Sequence, residues 1–221
     1  MKKTKSTPLP LSFADYGRLN RILVTVLNSV DAHTANGCVF FTMVGSYILD
    51  KAFGLKTQPV CGSAFFRVDD ATEFVMAFTD METFEKGEVA SHNEAFHAWI
   101  ECNGVVIDLM APIFRENLLK KIPDSKLRLP RKMFQRPKSE MANSPFELVR
   151  EGDFYLQVNP TLTNELIKLF MSRAENGDLA DVCRQWFKPT PKAILSELSL
   201  ASNDGTRRVM KLEKLELVGK W

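Results

Sequence analysis

This sequence has no long apolar run. No stretch approaches the ~18 apolar residues of a membrane-crossing helix, so no membrane partner is expected. The start, Met1-Lys2-Lys3-Thr4-Lys5, has the charge of a signal peptide, but Ser6, Thr7, Pro8 and Pro10 stand where the apolar stretch belongs. The four cysteines, Cys38, Cys61, Cys102 and Cys183, form no C-x-x-C pair, which leaves a zinc ribbon unsupported. Neither a metal nor any other cofactor is expected. The reading is a cytoplasmic protein with reduced thiols, in which each cysteine is a small core residue or a reagent. A strong charge of either sign is also missing. The net charge is +2, and the basic residues are scattered apart from Lys2, Lys3, Lys5 and the stretch from Lys126 to Lys138. Nucleic-acid binding asks for a concentrated basic face with interleaved aromatics, so no nucleic-acid partner is expected. No internal repeat and no sharp change of composition divides the chain, which reads as a single α+β domain over residues 1–221.

What is present has readable period. Residues 1–11 form a Pro-containing leader. Ser12 can cap a helix to about Val30, along which Phe13, Tyr16, Leu19, Ile22, Leu23 and Val26 recur near helical spacing. A break at Ala32–Gly37 precedes a second helix, about Gly37 to Phe53, ended by Gly54. Apolar residues lie on nearly every side of it, which marks a buried helix. Its face below Cys38 carries Thr42, Gly45 and Ser46, small enough for a strand to pack closely. Residues 60–68 and 73–78 read as strands. Residues 95–102 and 105–110 read as a hairpin around Asn103-Gly104, because both turn positions need positive φ. Pro112 opens a short helix to about Ile122. Beyond it the pattern gives a long surface loop over 123–145, a strand within 146–158, helices over 163–174 and 179–187 parted by Asn176-Gly177, and strands over 194–200 and 207–218.

Three residues stand out chemically. With Asn36 as cap, Cys38 falls in the first turn of the second helix, where unpaired N–H groups and the helix dipole favour a thiolate. The alternative is one more buried residue on an apolar helix. In the hairpin, the two-residue turn pairs Cys102 with Val105 and Ile100 with Ile107, so His97, Trp99, Glu101, Val106, Asp108 and Met110 share a face. Asp108 is then a diagonal neighbour of His97, with Cβ atoms roughly 7 Å apart. A carboxylate in so apolar a strand needs a partner, and His97 supplies one. A purely structural His–Asp bond, or an Asp108 facing water, remains open. So does His92 as an alternative base, although five residues earlier on a continuous strand it would point to the opposite face. A metal site drawn from His33, Cys38, His92 and His97 lacks ligand-pair spacing. The basic run Arg128, Arg131, Lys132, Arg136 and Lys138 is either a solvated loop or a means of steering an acidic substrate.

Asn36-Gly37-Cys38 at the head of a buried helix, then His97-Ala98-Trp99-Ile100-Glu101, then Gly104 and Ile107-Asp108, resembles the transglutaminase-like branch of the papain-like cysteine enzymes. The resemblance covers about residues 30–112 and points to an uncharacterised bacterial family within that superfamily. It implies a papain-like core over 12–122, completed by 123–221, in which the helix-borne cysteine packs against the strand-borne histidine. There are departures. Protein transglutaminases place Trp after the nucleophile, where this chain has Val39. Arylamine N-acetyltransferases approach the cysteine through Arg-Gly-Gly, where this chain has Thr34-Ala35-Asn36-Gly37.

The expectation is therefore a cysteine-dependent acyl-transfer enzyme with Cys38, His97 and Asp108 as its triad. Hydrolysis of a small peptide, amide or thioester is the first choice, and transfer to an amine uses the same residues. Asn36 or His33 would assist an oxyanion hole, Trp99 would border the cleft, and loops 79–92 and 123–145 would form its walls. From another class, a catalytically idle domain would bind a peptide or partner in the same cleft.

Overall fold

The computed structural model of the protein describes residues 8–30, 37–201 and 205–221. The Ser12 side chain accepts the Asp15 N–H and starts α1, Phe13–Ser29, whose Tyr16, Leu19, Ile22, Leu23 and Val26 are buried. The second helix, α2, runs Cys38–Phe53 and ends at Gly54, where φ is 64°, a left-handed conformation that glycine adopts at little cost. Six strands and two further helices follow in chain order as β1 (Gln58–Asp69), β2 (Phe74–Phe78), α3 (Met81–Glu85), β3 (His97–Cys102), β4 (Val105–Asp108), α4 (Phe114–Lys121), β5 (Lys132–Pro137) and β6 (Phe154–Val158). The chain continues with α5 (Pro160–Met171), α6 (Ala174–Trp186), β7 (Glu197–Ala201), β8 (Arg207–Lys211) and β9 (Gly219–Lys220). The architecture is mixed α+β, with helices packed on a largely antiparallel sheet. No helix among the described residues is long and apolar enough to cross a membrane.

The long strand β1 organises the sheet. Gly62 pairs with both His97 and Val158, and Ala64 with both Phe78 and Leu156. It follows that β2 and β3 lie end to end along one edge of β1, with β6 along the other. Gly62 is required there, since a Cβ on it would fall 2.0 Å from the Gln157 carbonyl oxygen. Next to β3 come β4 and β5, and the two-residue β9 adds the sheet's parallel pairing at β5. Strand alternation sends Ala98, Ile100, Cys102, Val105 and Ile107 to the side of α1 and α2. Trp99 and Val106 go to the other side, into a second core with Phe114 and Leu118 of α4. The small face of α2 meets β3 as its composition suggests: the space a Cβ would take on Gly45 is occupied by Ile100 and Leu109.

The second half departs from the sequence reading in three places. The stretch 123–145 is not wholly loop, because β5 lies within it and pairs with β4; Met133, Phe134 and Gln135 are buried there despite basic neighbours. Asn176-Gly177 lies inside α6 instead of dividing two helices, so tertiary packing of Cys183 and Trp186 outweighs the local breaker. The strand expected over 207–218 ends at Lys211 and forms a separate two-stranded sheet with β7.

Candidate functional site

The turn at Asn103-Gly104, with φ of 50° and 77°, fixes the hairpin register and hence the position of Asp108. His97 Nε2 lies 2.7 Å from Asp108 Oδ2, and both side chains are 1% exposed. Asp108 Oδ1 accepts the Met110 N–H at 2.8 Å. A carboxylate only accepts, so Nε2 donates its N–H to Asp108. Nδ1 has no hydrogen-bond partner among the described residues. The ring is held by aromatic faces. Phe78 stacks on it at 4.4 Å, a consequence of the end-to-end placement of β2 and β3, while Phe66 and Phe114 meet it more steeply at 5.8 and 6.0 Å. From behind, the Tyr16 hydroxyl donates to the Asp108 carbonyl and Asn20 Nδ2 donates to the Leu109 carbonyl at 2.8 Å. Burial, and then the charge of Asp108, raise the Tyr16 pKa well above the ordinary phenol range, so it remains a donor.

Cys38 is the first residue of α2, with Gly37 as its cap residue. Two backbone N–H groups, of Ala98, the residue after His97, and of Val39, act on its thiol and lower its pKa. Cys38 and His97 both line a cleft of about 630 Å³, with Phe78, Phe96 and Met110 as apolar wall and Asn93, Glu94, Asn117, Lys120 and Lys121 as polar wall. The thiol is not the stabilised thiolate that a helix start suggests. Burial, then Cys61 and the Asp108 charge, push its pKa up to about 12, against the lowering by the two N–H groups. Desolvation outweighs the helix end at this site.

The structure thus brings Cys38, His97 and Asp108 to one region. His33 and Asn36 lie outside the described residues. Trp99 is fully buried and does not line the cleft; its Nε1 faces Glu101 at 3.5 Å. It shares the His97 face of β3 but stands two residues further along the strand, inside the second core. His92 is exposed, outside the cleft lining, and its Nδ1 accepts the Glu94 N–H at 3.3 Å. Neither loop 79–92 nor 123–145 lines the cleft; residues 93–96 and α4 do. In the basic run, Arg131 pairs with Glu116, Lys132 with Glu151, Arg136 with Glu140 and Lys138 with Glu101. Sequence reasoning missed Tyr16, Asn20 and the lysines of α4. Buried polar residues on the apolar face of α1 were the available signal for the first two.

A family model described as "Protein of unknown function (DUF2026)" matches residues 12–221. No curated protein matches the chain. A crystal structure described as a genomics target is similar at 31% sequence identity and a TM-score of 0.83, over 99% of this chain and 100% of that one.

Proposed function

We propose that this chain, which belongs to the DUF2026 family, is a cysteine-dependent acyl-transfer enzyme on a papain-like, transglutaminase-like core. The observation that carries the reading is the shared cleft. Cys38 and His97 both line it, while Asp108 holds the Nε2 side of the imidazole and leaves Nδ1 unpartnered among the described residues. The resting thiol keeps its proton, because burial pushes its pKa up to about 12. As the sulfur attacks an acyl carbon, Nδ1 takes the thiol proton, and Asp108 stabilises the imidazolium. The S–C bond forms, the carbonyl electrons move to oxygen, and N–H groups at the start of α2 meet that charge. Collapse expels the amine or thiol, which leaves with the proton from His97. Water then attacks the thioacyl group, His97 takes its proton, and the acid departs with Cys38 restored. A peptidase or amidase follows this course, and an amine in place of water gives acyl transfer. The four free, buried cysteines support a cytoplasmic setting.

A second reading draws on the raised Cys38 pKa: a cleft that binds a peptide or partner around an inert thiol. Iodoacetamide alkylation of Cys38, followed against pH by peptide mass spectrometry, separates the two. With His97 as proton acceptor, the parent shows a rate plateau through neutral pH that falls in acid. His97→Ala loses the plateau and keeps only the limb that climbs about tenfold per pH unit toward the thiol pKa. The same rising profile in both proteins sinks the enzyme reading. An acyl adduct on Cys38, captured from a library of peptides and thioesters, identifies the donor.

A further inference from the structure

Two cations line the cleft that contains Cys38 and His97, and neither has a carboxylate partner among the described residues. Lys120 and Lys121 close α4 and form part of the polar wall. The basic residues Arg131, Lys132, Arg136 and Lys138, in contrast, are each tied to a glutamate. Lys121 Nζ lies 5.9 Å from the centre of the Phe78 ring, and Phe78 stacks on His97 at 4.4 Å. The ammonium is therefore one aromatic ring away from the imidazole. Glu94 is the acidic side chain on the cleft wall, so the lining carries a net positive charge. Lysines at a helix end also complement its exposed carbonyls, but that role requires neither a cleft nor a ring contact.

We infer that the acyl donor carries a carboxylate near the reacting carbonyl, and that Lys120 and Lys121 receive it. Both lysines are exposed on the cleft wall, so an anion that enters the cleft can meet both charges at short range. The inference deepens the acyl-transfer reading and rests on it. It restricts the substrates to acidic acyl compounds, such as peptides cut beside an acidic side chain or a free C-terminal carboxylate.

Iodoacetate and iodoacetamide test the charge directly, because they differ little in size and both place a CH₂ on sulfur as iodide leaves. The quantity to measure is the ratio of their rates at Cys38 in the folded parent, in the urea-unfolded parent and in Lys120→Gln/Lys121→Gln, with circular dichroism confirming the fold of the variant. In the folded parent the ratio should exceed the unfolded one by about fivefold or more, from two nearby charges. In the double variant it should fall to the unfolded value, and 1 M NaCl should lower it in the parent. Equal ratios in parent and double variant overturn the carboxylate inference while leaving the His97 test untouched. A Cys38 that neither reagent reaches in the folded protein overturns both, since no acyl donor would reach it either.

Discussion

At the scale of single residues, the candidate site depends on how Asp108 is held. Its two oxygens are used by His97 and by the Met110 N–H, and its carbonyl is held by Tyr16. The Tyr16 oxygen also receives the Phe134 N–H at 3.3 Å, so one buried hydroxyl ties α1 to both β4 and β5. Tyr16→Phe removes that oxygen and leaves a carbonyl and an N–H in the core with a partner lost. The expected cost is about 1–3 kcal/mol, read as a lower urea midpoint at unchanged slope. An unchanged midpoint would show that these groups find other partners. The His97–Asp108 pair was legible in the sequence because a two-residue turn fixes register and register fixes faces. Tyr16 was legible only as a core residue, since period marks a buried position without revealing what its hydroxyl meets.

At the scale of elements, the docking of α2 on β3 places the thiol. Gly45 lets Ile100 and Leu109 enter the space where a side chain would stand. Gly45→Val should push the helix off the strand and destabilise the protein by about 1–3 kcal/mol through overpacking. The measurement is thermal unfolding, and an unaltered midpoint would mean that the helix does not approach β3 this closely. The same displacement should remove the neutral-pH plateau of Cys38 alkylation, because the sulfur would be carried away from its proton acceptor, His97. The small face of α2 was visible in the sequence, and so was its fitness for a strand. Which strand it meets was not, because β1, β3 and β4 all offer apolar faces. In the second half, Asn176-Gly177 signalled a break that packing around Cys183 and Trp186 overrode, and the bases of 126–138 concealed β5.

At the scale of the whole molecule, buried thiols couple folding to pH. The pKa values of Cys38 and Cys61 are each raised by burial to about 12 from an ordinary 9.0, so the folded state keeps them neutral where the unfolded chain would ionise them. Their contribution to stability is full below about pH 9 and is lost as pH rises toward 12. The urea midpoint should therefore fall above that lower limit, and Cys61→Ala should flatten the decline even where its cavity lowers the midpoint throughout. An alkaline slope identical to that of the parent would show that Cys61 titrates alike in both states. Burial of the thiols requires the full assembly, with α1 and α2 on one face of the sheet and strands of the second half completing its edges.

The sequence by itself determined the elements with strong local causes: the Ser12 cap, the α2 terminus at Gly54, and the hairpin that sets Asp108 diagonal to His97. These depend on period, capping and turn geometry, which act over a few residues. Only the tertiary structure decided that Cys38 lies near Ala98, that Trp99 is buried in the second core and not at the cleft, and that α4 brings Lys120 and Lys121 to its wall. It also decided the resting state of the thiol. A helix start favours the thiolate, but burial depends on everything packed around it, and burial prevails.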